Sequence, residues 1–477
     1  MFKSATYITR RNSLKEQLKS GIALFFGHDE SPINFADNCY QFRQDSSFLY
    51  FFGHNLPNLI GVIDLDEGID YLFGNNFEID DLIWRGYQPS IESLAQRVGV
   101  NKSANLKEFE QFLQKSLLFK RKIRLLPPYR ASTKLKIIHY FGLDFLKKLE
   151  LSLPTESVDF IKAVVSQRQI KTDEEIAQIE EAVDITVDIH IEAIKSAKAG
   201  MTEHQVVLLA YKKMLDIEDI SMSFTPIATT RGEILHNHFY GNTIKKGDLF
   251  LLDGGVENKM HYSADLSTTF PVNAKFTALQ KDIYQITLDA HQAAIAMLAP
   301  DVPFKDVHIR ASKTIAEGLK SIGVMKGDVD EAVELGAHAL FFPCGTGHMM
   351  GLDVHDMEDL GEIYVGYDGE AKSEQFGLKS LRLAKPLKAG FVLTIEPGIY
   401  FIPALIDKWN AEKKFVDFIN YNKLEPSTGE IYRTFGGIRN EENYLITQNG
   451  ARALGKPKPK TIDEIESLAL LNRTKCV

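Results

Sequence analysis

The pattern of apolar residues changes near residue 170, and this change predicts two regions that fold differently. Residues 1–165 alternate short apolar runs with helical patterns, which is typical of an α/β domain. The strand-like runs are Ile22–Phe26, Leu59–Ile63, Ile69–Phe73 and Ile123–Leu126. Thr172 and Glu175 then form a capping box, which starts a helix because each side chain satisfies a free backbone N–H group. We therefore place the domain boundary between residues 165 and 172.

The second region, residues 172–455, is richer in strand-like segments that are broken by amphipathic helices. Phe250–Leu252 and His261–Phe270 flank a glycine-containing turn and predict a β-hairpin. Gly436–Thr447 predicts a final strand. Residues 456–477 begin with alternating lysine and proline, so we expect a solvated C-terminal tail that ends in a short helix. The overall expectation is an α/β (α+β) chain with two domains and a tail.

Charge and cysteine usage exclude several classes of protein. The chain has 477 residues and a net charge of −9, which argues against nucleic acid as a partner because phosphate binding needs clustered Lys and Arg. It has no run of 18 apolar residues and no apolar stretch near the N-terminus, so we expect neither a membrane span nor a secretory signal. Cys39, Cys344 and Cys476 are an odd, scattered set that is typical of a reducing compartment. We expect a cytoplasmic protein.

Side chains that bind hard cations stand where predicted strands end or loops turn. They are Asp253, Asp265, His348, Glu396 and Glu441. The first two lie on opposite strands of the predicted hairpin, and the histidine lies in a glycine-rich segment. Four carboxylates and one imidazole suit a pair of divalent cations such as manganese, cobalt or zinc. Taken singly, each residue also has an ordinary explanation as a turn, cap or strand residue.

These residues lie in five motifs, LLDGG, SADLSTTFPVN, GTGHMMGLDVHD, LTIEPGIY and FGGIRNEE. The order of the motifs resembles that of the pita-bread metallopeptidases that cleave Xaa-Pro bonds, aminopeptidase P and prolidase. The segment YQFRQDSSFLYFFG is similar to a stretch that marks the N-terminal domain of aminopeptidase P. The resemblance covers nearly the whole chain. It implies a creatinase-type α/β domain over residues 1–165 and a pita-bread catalytic domain over residues 172–455.

The resemblance also implies that the five side chains bind two divalent ions, with Mn²⁺ as the first choice and Co²⁺ or Zn²⁺ as alternatives. Asp265 and Glu441 correspond to bridging carboxylates, Asp253 to a ligand of one ion, and His348 and Glu396 to ligands of the other. Two such ions would lower the pKa of a shared water and supply hydroxide at neutral pH. Glu396 would take the proton of that water and pass it to the departing proline nitrogen.

Further residues match substrate-binding positions of the family. His355 matches a histidine that stabilises the tetrahedral intermediate, and His236 matches a substrate-binding histidine, with His238 as its rival. Arg382 stands where prolidases hold the C-terminal carboxylate of a dipeptide. Trp84 resembles a tryptophan that lines the pocket, sometimes from a neighbouring subunit, although a plain core or surface position is an equal alternative.

Arg439, Tyr400 and Asp37 match an Asp–Arg–Tyr relay of aminopeptidase P that would orient the metal-binding carboxylates. Two positions depart from the family pattern. Cys344 stands where the family usually has a histidine, which puts substrate or oxyanion contacts there in doubt. Ser267 stands where a threonine is common, and it keeps the hydroxyl group.

The resemblance implies an Xaa-Pro aminopeptidase that acts on peptides with proline at the second position. YQFRQDSSFLY, Asp37 and Trp84 favour this activity. Arg382 and the long insertion before FGGIR favour the alternative, an Xaa-Pro dipeptidase. A binding protein without metal, or a creatinase-like hydrolase, is a third alternative, but all five ligand positions carry suitable residue types. We expect no nucleic acid or membrane partner, and a homodimer or homotetramer.

Overall fold

A mixed five-stranded sheet organises the first 168 residues of the computed structural model, which describes residues 1–273 and 275–471. Its strands are β1 (Ile22–Phe26), β2 (Ile60–Asp64), β3 (Ile69–Phe73), β4 (Lys102–Ala104) and β5 (Ile123–Leu125). The order is β4-β3-β2-β1-β5, with β1–β5 and β3–β4 parallel and the other pairs antiparallel. The helices of this part are α1 (Ser4–Leu18), α2 (Ser46–Phe52), α3 (Ile79–Arg85), α4 (Ile91–Arg97), α5 (Leu106–Leu118), α6 (Ala131–Phe141), α7 (Leu143–Leu151) and α8 (Thr155–Arg168).

Apolar residues on both faces of the central strands explain why helices cover this sheet. β1 and β2 are buried along their whole length, which requires packing on both faces. The ring of Phe25 lies 5.0 Å from that of Phe51 on α2 and 5.1 Å from that of Phe160 on α8. The first compact unit comprises Met1–Arg168 together with Met357–Tyr364.

The second unit comprises Gln169–Asp356 and the described residues from Val365 onward. The strands of this unit are β6 (Ser221–Met222), β7 (Ile227–Thr229), β8 (Leu249–Gly254), β9 (Val256–Glu257), β10 (Leu266–Pro271), β11 (Val392–Ile395), β12 (Gly398–Tyr400), β13 (Gly437–Arg439), β14 (Glu442–Thr447) and β15 (Gly450–Ala453). They form the sheets β10-β8-β7 and β11-β14-β15 and the pairs β12-β13 and β6-β9. The helices after residue 169 are α9 (Asp173–Ser196), α10 (Glu203–Leu215), α11 (Ala278–Ile295), α12 (Phe304–Ser321), α13 (Val329–Leu335), α14 (Glu362–Val365), α15 (Pro403–Ala411), α16 (Glu430–Arg433) and α17 (Ile462–Leu470).

Several local predictions hold in this unit. Thr172 caps α9 through the expected capping box with Glu175. β8 and β10 pair in antiparallel register as the predicted hairpin, with Leu266 opposite Gly254. The short helix α17 begins after its cap, Thr461. Capping and hairpin signals are local, so tertiary packing did not override them.

Two predictions about the C-terminal part are wrong. Gly436–Thr447 is not one final strand, because residues 440 and 441 interrupt it and β15 follows. The region from residue 456 is not a solvated tail. Lys458 is 4% exposed and donates hydrogen bonds to Ser267 O at 2.7 Å and to Thr268 Oγ1 at 3.2 Å, and α17 buries Ile465 completely. The last part of the predicted tail, residues 472–477 with Cys476, lies outside the described residues.

Within residues 1–273 and 275–471, no helix combines the length and the apolar character that a membrane span needs.

Candidate active site

The second unit contains a cavity of about 490 Å³ that brings most of the predicted site residues together. Its lining includes the five predicted cation-binding side chains: Asp253, Asp265, His348, Glu396 and Glu441. It also includes the predicted substrate-binding residues of this unit and one of the two residues that depart from the family pattern: His236, His238, His355, Arg382 and Cys344. Arg439 lines the cavity as well.

Strand ends and one neighbouring segment place the cation-binding side chains. Asp253 is the penultimate residue of β8, and Asp265 immediately precedes β10, its antiparallel partner. The segment with His348 runs beside β11. The His348 N–H donates to Thr394 Oγ1 at 3.1 Å, and the His348 carbonyl oxygen accepts from Thr394 N at 3.0 Å. Glu396 follows β11 directly, so the pairing that orders the strand also positions this carboxylate.

Asp265, His348 and Glu441 each offer a ligand atom within 4.8 Å of the other two. His348 Nε2 lies 3.3 Å from Asp265 Oδ2 and 3.6 Å from Glu396 Oε1. Its Nδ1 lies 3.0 Å from the Met349 carbonyl oxygen, so the neutral ring donates there and leaves Nε2 as the lone-pair atom that faces the carboxylates. This is the tautomer that a metal-binding histidine needs.

The carboxylates of this cluster are buried close to one another, so their ionised forms are unfavourable. Burial raises the pKa of Asp265 and of Glu441 well above the usual range, and repulsion between neighbouring carboxylates adds to the increase. Burial also raises the pKa of Glu396. Among the described residues, Asp253 Oδ1, Asp265 Oδ1 and Glu441 Oε1 are buried without a hydrogen-bond partner. Because buried anionic oxygens without donors are costly, this set of ligands fits hard divalent cations.

Arg439 joins the two sides of the cluster. Its Nη2 pairs with Asp253 Oδ2, and its Nη1 donates to the Tyr400 hydroxyl oxygen at 3.1 Å. Its Nε donates to Ser267 Oγ at 3.0 Å, and that hydroxyl donates to Glu441 Oε2 at 2.8 Å. The guanidinium and the Ser267 hydroxyl therefore orient two of the carboxylates from behind.

The predicted substrate-binding histidines have different surroundings. The ring of His355 lies 4.2 Å from that of His348, centroid to centroid. His236 and His238 flank the buried residue Asn237. Burial lowers the pKa of His236, and the charge of Arg439 lowers it further. A neutral His236 can accept or donate a hydrogen bond to a peptide substrate.

Asp37 and Trp84 belong to the first unit, and their predicted roles stay predictions. Asp37 lies in an exposed turn, and Trp84 is 86% exposed on α3. The carboxylate that the structure pairs with Arg439 is Asp253.

Sequence reasoning missed residues that act from outside the cavity, such as Thr394, Lys458 and Glu203. A threonine in the otherwise apolar run FVLTI was a usable signal, because a polar side chain in a buried strand needs a partner. The lysine stands in a stretch that reads as solvated, and no local pattern indicated its burial. The glutamate follows a helix cap, where an acidic residue is ordinary.

Two family models match the chain. The model of metallopeptidase family M24 matches residues 177–448, and that of the aminopeptidase P N-terminal domain matches residues 7–124. Human Xaa-Pro dipeptidase is 30% identical over 480 residues, which cover 97% of this chain and 93% of that protein. Xaa-Pro aminopeptidase from Escherichia coli K12 is 30% identical over 475 residues, which cover 97% of each.

The fold is similar to solved structures as well. Zinc-substituted aminopeptidase P from E. coli, solved in complex with product, superposes with a TM-score of 0.78 at 28% identity over 99% of both chains. The predicted fold class, an N-terminal aminopeptidase P domain followed by a pita-bread domain, is confirmed. Because an aminopeptidase and a dipeptidase are equally similar to this chain, overall identity does not separate the two activities.

Proposed function

Since this chain belongs to metallopeptidase family M24, we propose that it is a dinuclear metal-dependent Xaa-Pro aminopeptidase. It would release the N-terminal residue from peptides with proline at the second position. The observation that carries the proposal is the convergence of Asp265, His348 and Glu441 within 4.8 Å in a cavity that Asp253 and Glu396 also line. The similarity of both regions of the chain to E. coli aminopeptidase P supports it.

We propose that these five side chains hold two divalent cations, with Mn²⁺ preferred over Co²⁺ or Zn²⁺. When bound, the cations would supply Lewis-acid activation of water and of the scissile carbonyl. Arg439 and Ser267 would keep the carboxylates oriented through the contacts described above. Glu396, whose pKa burial raises, would accept a proton at its carboxylate and donate it to the leaving nitrogen.

The chemistry of proline explains the proposed substrate. An Xaa-Pro bond is a tertiary amide without an N–H group, and the pyrrolidine ring of proline fixes φ near −65°. Phe224, Ile227, Leu235 and Val354 give the cavity apolar walls that suit such a ring. His236 and His355, which line the same cavity, would hydrogen-bond the substrate (we propose no direct metal contact for either).

The alternative activity is that of an Xaa-Pro dipeptidase, and one observation favours it. The guanidinium-bearing residue Arg382 lines the cavity, where it can bind the C-terminal carboxylate of a dipeptide. Measuring kcat/KM for Gly-Pro and for a longer Xaa-Pro-Yaa peptide distinguishes the two activities. An aminopeptidase prefers the longer peptide. Faster cleavage of Gly-Pro, together with its selective loss in Arg382→Met, would instead establish the dipeptidase.

The metal site has a direct test in Asp265→Asn. We expect this variant to lose metal and activity together, because the amide removes a negative charge from the cluster. Asp289→Asn, on the exposed surface of α11, is the matched control and should keep both. Metal content by plasma mass spectrometry and cleavage of an Xaa-Pro peptide are the measurements. A fully active, metal-loaded Asp265→Asn variant would contradict the proposed site.

Substrate recognition has its own test in His236→Ala. We expect kcat/KM to fall by about 10²-fold while metal content is unchanged, a magnitude typical of lost positioning. His238→Ala tests the rival histidine in the same assay. Loss of metal from His236→Ala, or equal cleavage of Xaa-Ala and Xaa-Pro peptides, would contradict this division of roles.

Assembly and location complete the proposal. We propose a homodimer or homotetramer, with Trp84 and its neighbours on α3 at the subunit contact, because α3 buries none of its side chains. Sedimentation of a monomer at micromolar concentration would contradict this. The cysteine usage supports a cytoplasmic protein, and cell fractionation is the test.

A further inference from the structure

The loop after β7, residues 230–242, carries His236 and His238, and little apolar packing holds its outer side. Among its large apolar residues, Ile234 and Phe239 are 45% and 64% exposed, whereas Leu235 and Tyr240 are partly buried against the core. A loop that presents its apolar side chains to solvent gains little positional order from them. Leu235 and Tyr240 give the loop part of its order, and polar contacts at its two ends supply the rest.

Glu203, the first residue of α10, supplies contacts at both ends of this loop. The residue is completely buried. At the start of the loop, its Oε1 accepts hydrogen bonds from Thr229 Oγ1 at 3.0 Å, Thr230 N at 2.7 Å and Thr230 Oγ1 at 3.0 Å. At the end of the loop, its Oε2 accepts from Asn242 N at 3.2 Å and Asn242 Nδ2 at 2.9 Å. One carboxylate thus closes the loop.

Thr229 connects the Glu203 carboxylate to the middle of the loop through hydrogen bonds. Its hydroxyl donates to Glu203 and accepts from Asn237 Nδ2 at 2.9 Å and from Arg231 N at 2.9 Å. The hydroxyl has one hydrogen and two lone pairs, so its bonding capacity is full. Asn237 is 7% exposed and lies between the two histidines, and its Oδ1 accepts from Phe239 N at 3.0 Å.

We propose that Glu203 is a positioning residue that holds His236 toward the substrate through Thr229 and Asn237. The inference rests on the proposed function, in which His236 contacts the peptide. A carboxylate is required because both of its oxygens must accept hydrogen bonds, and bonds to an ionised acceptor are about twice as strong as neutral ones. Glutamine has the same shape, but its NH₂ group would face donors at one end of the loop.

The first test compares Glu203→Gln with the parent enzyme. We expect kcat/KM for an Xaa-Pro peptide to fall about 10- to 100-fold, mainly through KM, with unchanged metal content. Hydrogen exchange of the amides of residues 229–242 should become faster. Glu466→Gln is the matched control: Glu466 is also buried and accepts from Phe276 N at 3.1 Å, but it does not line the cavity. It should change neither KM nor exchange in the loop.

A second pair of variants separates positioning from general destabilisation. Thr229→Val keeps the shape of the side chain and removes the hydroxyl, so KM should rise as in Glu203→Gln. Thr229→Ser keeps the hydroxyl and should retain a KM close to that of the parent. A parent-like KM in both Glu203→Gln and Thr229→Val would overturn the proposal, as would loop exchange at the parent rate.

The proposed function and the positioning role of Glu203 can be tested independently of each other. If the parent enzyme does not cleave Xaa-Pro peptides, that function is wrong. Hydrogen exchange in the Glu203→Gln variant then decides the anchoring role by itself: faster exchange confined to residues 229–242 supports it, and unchanged exchange overturns it.

Discussion

Buried histidines of the second unit predict that mild acid destabilises the protein. They are His190, His291, His308 and His338, each at most 1% exposed. Burial lowers the pKa of the first three to about 3 and that of the fourth to about 4. Their folded-state pKa values thus lie below the value of about 6.5 that histidine has in an unfolded chain. As the pH falls through 6.5, the unfolded chain binds protons that the folded chain cannot bind, so stability is lost.

The size of the effect follows from these values. At pH 5.5 an unfolded histidine is mostly protonated, which stabilises the unfolded state by about 1.4 kcal/mol per residue. The four residues together amount to roughly 5–6 kcal/mol. Buried carboxyls with raised pKa values, Asp265 and Glu441, act in the opposite direction in metal-free protein. The total is comparable to the whole free energy of unfolding of a typical domain, about 5–15 kcal/mol.

His338→Leu isolates one of these contributions. Both ring nitrogens of His338 are buried without a hydrogen-bond partner in the described part of the chain, so leucine leaves no donor or acceptor unsatisfied. Between about pH 7.5 and 5.5, we expect this variant to lose about 1.4 kcal/mol less stability than the parent. His204→Gln, at an exposed site on α10 of the same unit, is the control and should follow the parent.

Urea unfolding at three pH values is the assay. The chain has two tryptophans, Trp84 in the first unit and Trp409 in the second. In a Trp84→Phe background, fluorescence therefore reports the second unit, where Trp409 is 3% exposed. A His338→Leu variant with the same pH dependence as the parent would refute the reasoning.

Three further predictions concern burial and close packing. Lys458→Met should lower the free energy of unfolding by about 1–3 kcal/mol, because it removes buried hydrogen bonds. Lys456→Met removes a partly exposed ion pair with Asp188 and should change the free energy of unfolding by less than about 1 kcal/mol; urea unfolding of both variants compares them. Iodoacetamide should alkylate Cys344 more slowly than Cys39, since burial raises the pKa of the Cys344 thiol to about 12, and faster labelling of Cys344 by peptide mass spectrometry would contradict this. Gly255→Ala should weaken Mn²⁺ binding, measured by calorimetry, because its Cβ would lie 1.8 Å from a carbonyl oxygen of the hairpin that carries two proposed ligands; unchanged affinity would argue against it.

Features of the fold that depend on near neighbours in the sequence could be predicted. The Thr172 cap, the strands β1 and β3 and the β8–β10 hairpin follow from capping, apolar runs and turns. The interruption at Glu441 could not be predicted, because the run FGGIRNEENYLIT has strand-like composition throughout. At this interruption the backbone bonds to a residue far away in the chain: Glu441 N donates to Ser267 O at 3.1 Å.

The candidate site divides in the same way. Residue type and order, read with the family resemblance, were enough to name five carboxylate and imidazole side chains as proposed ligands, and all of them line one cavity. The relay that was expected to include Asp37 stays a prediction. Arg439 pairs with Asp253 in the structure, and nothing in the sequence indicates which of many carboxylates a buried guanidinium will meet.

The sequence by itself determined which side chains are available for chemistry, because four carboxylates and one imidazole are residue types that suit divalent cations. Only the tertiary structure decided how that chemistry is supported. Lys458 reads as solvated and Glu203 as an ordinary helix-start residue, yet both are buried and hold backbone segments of the site. The physical reason is that burial and hydrogen-bond partners arise from contacts 20 to 200 residues apart, such as the 26 between Glu203 and Thr229 or the 191 between Ser267 and Lys458. Local pattern carries no information about such contacts, whereas packing determines every one of them.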